Sequence, residues 1–573
     1  MKIACSHMER AIIEENEMKR EIDCLFVGHN EMEFVEFERT IRRMGEDCGA
    51  YRDLSLNYFR YNDQPYSLPD IYNMLTGAGN GPPGQPLGMG ETFHAAIAYL
   101  GTYLSRRGLS FDFVNAFKEG QDDLAALLAG CRVRAVAIVT TLYVTALPIV
   151  QIVDFVRRHN PDVKIIVGGP FVSTQCRTLE FGELEYLLGS IGADIYVDNS
   201  QGETALVRVL EALRENRRLE GIPNVLVPSS KGDGFAAGPK ETEDNRLGDN
   251  MVDWSLFKGR LGPYANIRTS ISCPFSCSFC GFPEHAGKYQ TATVDGVIAE
   301  LDSLNSAGEV RSIHVIDDTF NVPANRFKEL LRAVAKKNYP WRWHSHFRCQ
   351  FADRDMVELM KQCGCEGVFL GIESGSDRIL GNMNKRANVA DYHRGIQLLK
   401  EFDIPAMASF IVGFPGETDD TVRETIRFIQ EAEVDFFRAQ VWYCETVTPI
   451  WRARERYGIE GRNFQWRHHT MNNELAADWV DHIFQTVDAS IWVPQYNFDF
   501  DNLFHLTHRG MDIPGVKRFL DRFNAAVRQK NAGAGVMREL MEALGLEVKA
   551  GYLDGTQNNK SETNDQLDVD FNF

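Results

Sequence analysis

Cys273-Pro-Phe-Ser-Cys277-Ser-Phe-Cys280 places three thiols within eight residues, directly after an apolar strand candidate at 265–270. Three thiolates on one short loop can wrap a compact soft-metal centre. An iron–sulfur cube normally takes four cysteines, so three leave one iron open to a further ligand. Two plainer readings compete. Zinc wants four ligands, and His285, five residues past Cys280, is a candidate fourth. Three separate buried thiols are the other, and the density of the cluster opposes it.

Working outward, apolar strand candidates at 265–270, 312–316, 341–346, 367–371, 406–412 and 435–442 alternate with helical patterns. Six repeated βα units predict a partial (β/α)6 barrel over 257–455, with functional residues at strand C-termini. Upstream, strand candidates at 22–27, 110–114, 133–139, 163–167 and 195–197 alternate with helical patterns such as 149–159 and 203–214. That rhythm predicts an α/β, doubly wound domain over 22–227. Ligands of such sheets sit outside the carboxyl ends of the strands, which singles out the loops 28–32, 140–144, 168–173 and 198–204.

Residues 56–91 hold six glycines and three prolines within 77–90 and read as a long irregular insertion, part of a lid. The polar, Gly-rich stretch 228–256 reads as a linker. Residues 456–555 read as a helical C-terminal domain with aromatic interruptions. An N-terminal extension (1–21) and a polar, disordered tail (556–573) complete the chain.

The 573-residue chain carries a net charge of −19, which opposes nonspecific nucleic-acid binding. Its start shows no apolar signal core, so a cytoplasmic protein is expected. The apolar run 133–153 contains Arg134, Thr140, Thr141 and Pro148, and reads as strand, loop and helix instead of a membrane span. Of twelve cysteines, those outside the cluster read as buried reduced thiols. Cys363 and Cys365 read as helix-end packing.

The C-x3-C-x2-C spacing, with an aromatic before the last cysteine, resembles the radical S-adenosylmethionine (SAM) superfamily. The resemblance implies that Cys273, Cys277 and Cys280 hold a [4Fe–4S] cluster whose open iron is chelated by SAM. It places Phe279 by the adenine and Asp317 and Asp318 near the SAM ammonium. It also places Arg348 by the carboxylate, Glu373 and Ser374 (in Gly371-Ile-Glu-Ser-Gly375) by the ribose or amino group, and Gly413 in the turn after the fifth strand.

The upstream domain lacks a G-x-G-x-x-G fingerprint after its first strand, which weakens a dinucleotide reading. Its loops resemble those of the cobalamin domain of B12-dependent radical SAM enzymes. The implied cobalamin contacts are Thr140, Thr141, Leu142, Tyr143, Gly168, Gly169, Pro170, Phe171, Val172, Gln201, Gly202 and Glu203. Helix N-terminal amides after Gln201 are expected to meet corrin amides. The family's last loop commonly reads G-E-G-E, and Ser200-Gln-Gly-Glu203 matches it in part. No D-x-H-x-x-G is present, so no histidine ligand to cobalt is expected, and His29 reads as a surface or substrate-side residue.

The domain order resembles class B radical SAM methyltransferases. Stretches 27–62 and 100–115 are similar to the subfamily typified by the phosphinothricin-pathway P-methyltransferase. The resemblance implies two uses of SAM, one to form methylcobalamin and one to form a 5′-deoxyadenosyl radical. An external flavodoxin- or ferredoxin-type donor and a small-molecule or carrier-bound substrate follow, with no nucleic-acid or membrane partner. Trp442, Tyr443 and Trp466 read either as liners of the substrate space or as core. The alternatives are a cyclase or ring-rearranging enzyme, and a non-catalytic metal-binding scaffold. A tRNA methylthiotransferase would want three more cluster cysteines, whereas Cys24, Cys48, Cys131 and Cys176 are scattered.

Overall fold

The computed structural model describes residues 19–77, 86–141, 143, 145–232, 234–530 and 533–545. Leu142, most of the N-terminal extension, positions 546–555 and the expected disordered tail lie outside them.

The N-terminal domain is built on β1 (Glu21–His29), β2 (Phe111–Ala116), β3 (Arg132–Val139), β4 (Lys164–Gly168), β5 (Ile195–Val197), β6 (Val225–Pro228) and β7 (Phe235–Ala237). Their order in the sheet is β7-β6-β5-β4-β3-β1-β2. The first five are parallel, in the order 2-1-3-4-5, and β6 and β7 add antiparallel. β1 is buried at every position after Glu21, as a central parallel strand covered on both faces requires. Chain order reverses between β1 and β3, so their loops flank the topological switch point where such sheets take ligands.

The second sheet carries β8 (Tyr264–Ile267), β9 (Ser312–Val315), β10 (Arg342–His346), β11 (Cys365–Glu373), β12 (Ala406–Val412) and β13 (Phe436–Val441), all parallel in chain order. Two short parallel strands close its edges. Thr92–Phe93 pairs with β8, and Ile491–Trp492 pairs with β13. Two residues are too few for a periodicity signal, so neither strand is readable from the sequence.

Three expectations are corrected. The start of the linker is ordered structure, because Phe235–Ala237 pairs with 226–228. The first half of the Gly/Pro-rich insertion is packed, not lid-like. It forms a hairpin (Phe59–Tyr61 with Gln64–Tyr66) and a helix, Leu68–Leu75. Leu68, Ile71, Tyr72 and Leu75 fall at helical spacing and are all buried. Ser67 and Asp70 cap the helix reciprocally. Glycine and proline content after 76 obscured this apolar stripe. Finally, the C-terminal domain opens with a three-stranded antiparallel meander, Glu460–Arg462, Gln465–His468 and Met471–Asn472.

Helices α1 (Pro170–Thr178) and α2 (Glu203–Arg214) follow β4 and β5. In the C-terminal domain, α3 (Phe500–His508) packs onto the barrel interior and α4 (Ile513–Gln529) packs on the insertion, with Phe523 5.5 Å from Phe59. The apolar run at 133–153 resolves into β3 and helix Leu147–His159, and no described helix is long and apolar enough to cross a membrane. Cys363 and Cys365 are buried, with their thiols on the Leu331 and Gly367 carbonyls, as packing residues.

Candidate active site

β8 is followed by a short antiparallel pairing of Ser270–Ile271 with Gln290–Thr291. Ser272 then adopts φ +66, a left-handed turn uncommon for a non-glycine residue, and delivers Cys273 to the loop. Cys277 is buried, Cys273 and Cys280 are half-buried, and all three are free thiols. Burial pushes Cys280 up to about 11 and raises Cys273; Asp318 and the other cluster thiols add to the shift of Cys280. As bare sulfurs Cys273 and Cys280 resist ionising, and a bound cationic centre removes that obstacle.

His285, the fourth ligand of the zinc alternative, is 2.6 Å from Arg177 and 3.8 Å from Glu445. With His285 so engaged, the three thiols lack a fourth protein ligand for zinc, and the donor set suits a multi-iron cluster with one open iron.

Around Cys277 the structure gathers several of the expected residues. The Arg348 guanidinium lies 3.7 Å over the Phe275 ring and donates to Cys277 Sγ (3.4 Å) and to the Lys385 carbonyl (3.2 Å). It is a sulfur-facing cation, where the sequence points to a SAM carboxylate partner. Glu373 ends β11 at φ +67, where the register with β12 shifts, and pairs with Lys385 Nζ at 2.8 Å. Both partners are nearly buried. Lys385 also lies 5.4 Å from the Phe279 ring. Left-handed backbone on a nearly buried residue is the kind of local cost that clusters at functional sites.

The two aspartates divide. Asp317 is fully engaged: its carboxylate accepts from Thr269 N (2.6 Å), Ser270 N (3.0 Å) and Thr269 Oγ1 (2.6 Å). Its expected role as an ammonium acceptor gives way to anchoring the strand that carries the cysteine loop. Asp318 is exposed, and is pushed up to about 7 by the protein mass around it and by Asp317. The Ser374 hydroxyl is likewise committed to its own turn, accepting from Ser376 N at 3.2 Å. Gly413 sits at φ +92 beneath Trp466, and a Cβ there would meet that indole at 2.4 Å. Its N–H is held by the buried Glu417, pushed up to about 8 by burial, and its carbonyl by His468 at 2.9 Å. Trp442 and Trp466 are core residues, joined by an indole-to-carbonyl bond of 2.7 Å, whereas Tyr443 is exposed. Lys385, Glu417 and His468 carry no spacing signal in the sequence.

At the carboxyl end of the N-terminal sheet, Thr140 is fully buried and bonds the Gly168 carbonyl through its N–H (3.0 Å) and hydroxyl (2.9 Å). Gly169 has φ +114, and a Cβ there would meet the Thr140 hydroxyl at 2.9 Å, so glycine is required by the fold itself. Tyr143 donates to the Gly28 carbonyl at 2.7 Å. Phe171 and Val172 are buried, while Thr141 and Pro170 are exposed. The expectation for the last loop is corrected. The α2 amides of Thr204 and Ala205 are taken by Glu243 (2.8 and 3.0 Å), and Glu203 is buried beside Arg268 and Asn245. The stretch read as linker caps the helix, which leaves Gln201, Gly202 and Glu203 in a packed turn. His29 is buried, not exposed, with its ring 4.4 Å from that of His94, and burial depresses it to about 4.

Four buried polar atoms near the switch point have no hydrogen-bond partner: His29 Nε2, Asn30 Oδ1, Thr145 Oγ1 and Ser173 Oγ. They follow β1, β3 and β4. Unpaired buried polar groups are costly and invite a ligand. This end of the sheet meets the barrel mouth, because Glu203 at the start of α2 lies 3.7 Å from Arg268, which follows β8; farther along α1, Arg177 of its last turn touches His285 of the helix that follows Cys280.

Residues 267–429 match the Radical SAM superfamily, and the chain carries a radical SAM domain. Such a domain works with a [4Fe–4S] cluster and SAM. The chain is 27% identical over 322 residues to an uncharacterized methyltransferase of Pyrococcus horikoshii, covering 54% of this chain and 67% of that one. It is 28% identical over 319 residues to the tRNA-2-methylthio-N(6)-dimethylallyladenosine synthase of Pseudomonas paraeruginosa, covering 51% of this chain and 62% of the relative. Alignment to these curated relatives therefore spans about two thirds of their length or less. The fold is similar to that of TsrM, a radical SAM methyltransferase from Kitasatospora setae with cobalamin and a [4Fe–4S] cluster bound (TM-score 0.59, 17% identity, 92% of this chain and 100% of that one).

Proposed function

We propose that the protein is a cobalamin-dependent radical SAM methyltransferase that methylates an unactivated carbon or phosphinate centre of a small-molecule or carrier-bound substrate. The narrower likeness to the phosphinothricin-type P-methyltransferases belongs to this reading. The observation that carries it is the approach of Arg268, just after β8, to Glu203 at the start of α2 (3.7 Å), which sets the ligand end of the doubly wound sheet beside the barrel mouth. Cofactors held at those two ends would open onto one shared substrate space.

When bound, SAM and cobalamin supply the radical and the methyl group, and the protein supplies position and dryness. Cys273, Cys277 and Cys280 hold the cluster. Arg348 sets a fixed cation against Cys277 Sγ, the kind of second contact that tunes a cluster. Asp318 and Glu373 are the carboxylates for the SAM ammonium and ribose, and Lys385 holds Glu373 in place. The unpartnered atoms of His29, Asn30, Thr145 and Ser173 suit a macrocycle rimmed with amides, which both donate and accept. An external flavodoxin- or ferredoxin-type protein reduces the cluster.

The test is anaerobic purification with added cobalamin, followed by mass spectrometry after incubation with SAM, reductant and candidate substrates. The expected result is retained cobalamin, with 5′-deoxyadenosine and S-adenosylhomocysteine formed together. Deoxyadenosine without S-adenosylhomocysteine would move the reaction to cyclisation or rearrangement. A preparation that never retains cobalamin would overturn the reading.

A further inference from the structure

Inside the barrel, well away from the cysteines, a second set of metal-binding donors converges. His314 of β9 and His344 of β10 are register partners on adjacent strands and therefore share a face. The alternate residues, Ile313, Val315 and Trp343, line an apolar gap with Leu330, Leu331 and Val334 of the outer helix, so the two histidines point inward. The first turn of α3 brings Asp501 to them. Its carboxylate oxygen Oδ1 lies 3.0 Å from His314 Nδ1 and 3.4 Å from His344 Nε2. One donor atom from each of the three residues falls within 4.8 Å of the other two.

His314 Nδ1 also lies 3.1 Å from Oδ2, so the carboxylate straddles this imidazole as an ion pair whose spacing a metal can also bridge. With metal–nitrogen and metal–oxygen bonds of about 2.0–2.1 Å, neighbouring donors of a tetrahedral site stand about 3.3 Å apart. At 3.4 Å, buried His344 Nε2 faces Asp501 Oδ1 as an ion pair without an aligned hydrogen bond. The other ring nitrogen, Nδ1, bonds Glu366 at 2.9 Å. Glu366 is itself fixed by His508 Nε2 at 2.9 Å and by the Ser312 hydroxyl. A carboxylate on Nδ1 holds the proton there, so that a metal would displace only the Nε2 proton, the usual outer support of a metal-ligating histidine. Phe500 and Phe504 flank the His344 ring at 5.4 and 4.6 Å and keep water away. His346, two residues along β10, stands beside the group with its ring 5.5 Å from His314.

We propose that His314, His344 and Asp501 form a divalent transition-metal site inside the barrel, separate from the cysteine cluster and suited to Zn2+. His314 lies three residues before Asp317, about 10 Å down the strand from the level of the cysteine loop. Two imidazoles and one carboxylate suit zinc, and the same set also takes ferrous iron. The ion would tie α3, from the C-terminal domain, to two barrel strands and so set the floor of the substrate space.

The experiment is elemental analysis of the anaerobically prepared holoprotein and of two near-isosteric variants, Asp501→Asn and His344→Gln. The wild type is expected to hold about one equivalent of zinc beside the roughly four irons of the cluster. Each variant should fall below about a tenth of an equivalent of zinc while keeping its iron and its cluster absorbance. A Cys273→Ala/Cys277→Ala/Cys280→Ala variant should lose the cluster iron and keep the second metal. If it keeps about one iron and no zinc, the occupant is ferrous iron. X-ray absorption at the retained metal should show only nitrogen and oxygen neighbours. A wild-type holoprotein that holds no metal beyond the cluster, even after growth with added zinc, overturns the site. So does zinc that persists unchanged in Asp501→Asn and His344→Gln.

Discussion

The mouth of the barrel and the mouth of the doubly wound sheet face each other but spend their polar groups differently. At the barrel mouth nearly every charge has a protein partner: Asp317 on Thr269 and Ser270, Arg348 on Cys277, Lys385 on Glu373. The barrel mouth's unpartnered buried atoms are small hydroxyls, those of Ser270, Ser272, Thr319 and Ser376, whereas those at the sheet mouth include the His29 ring nitrogen and the Asn30 amide oxygen beside the Thr145 and Ser173 hydroxyls. A site that holds a small inorganic cluster must be rigid before the cluster arrives, because the cluster itself presents only sulfurs and irons. A site for a large macrocycle can leave donors and acceptors open, because that ligand brings its own. The same difference separates what each mouth tolerates.

The largest effect is expected at the cysteine loop. Cys277→Ala should abolish the iron–sulfur absorbance and 5′-deoxyadenosine formation, a loss beyond the roughly 10–100-fold that follows from removing a supporting partner. Cobalamin retention should survive it, since the sheet mouth is built by other residues. Loss of both cofactors in a folded variant would show that the two mouths are one site. Next in size is Lys385→Met, which leaves Glu373 as a nearly buried, unpaired carboxylate. Breaking such a pair costs about 3–5 kcal/mol. Chemical denaturation should show that loss, and adding Glu373→Gln should recover most of it.

The two mouths were unequally legible in the sequence. β12 and α2 begin and end where their apolar patterns do, at 406–412 and 203–214, because each is a strong run with a clear stop. The cysteine loop was readable because its chemistry depends on residue type and spacing alone. What escaped was decided by distant partners. Glu243 caps α2 from beyond a hairpin, so the α2 N-terminus looked open to a ligand. Lys385 is a lysine in a polar stretch whose burial only the turn after β11 reveals. Asp501 lies 157 positions beyond His344, too far for any spacing rule to connect them.

A pH series separates a partnered carboxyl from its neighbours. Glu417 holds its proton up to about pH 8 in the folded protein, because burial disfavours the charge. In the unfolded chain a glutamate loses it near pH 4.3. The folded state therefore binds more protons between those values, and stability falls as pH rises through that window. At about 1.4 kcal/mol per unit of difference, the contribution is at most on the order of 4–5 kcal/mol. Glu300, also pushed up to about 8, adds a similar slope. Denaturation midpoints from pH 5 to 8 should decline more steeply in the wild type than in Glu417→Gln, and the difference belongs to Glu417. Parallel slopes would mean that Glu417 is ionised in the fold.

The smallest expected effect tests the open mouth most directly. Ser173 is buried with its hydroxyl unpaired, and such a group costs about 1–3 kcal/mol in the absence of a partner. Ser173→Ala should therefore leave the cobalamin-free protein as stable as the wild type, or more stable by about 1 kcal/mol. If the hydroxyl is kept for a ligand amide, the same variant should bind cobalamin roughly 3–10-fold more weakly, the worth of one hydrogen bond. The sign of the effect should thus reverse between the free and loaded protein, in thermal unfolding with and without cobalamin. A purely structural serine cannot produce that reversal. A variant that is destabilised equally in both states would place the Ser173 hydroxyl among the groups the fold already satisfies, and the sheet mouth would then resemble the barrel mouth it faces.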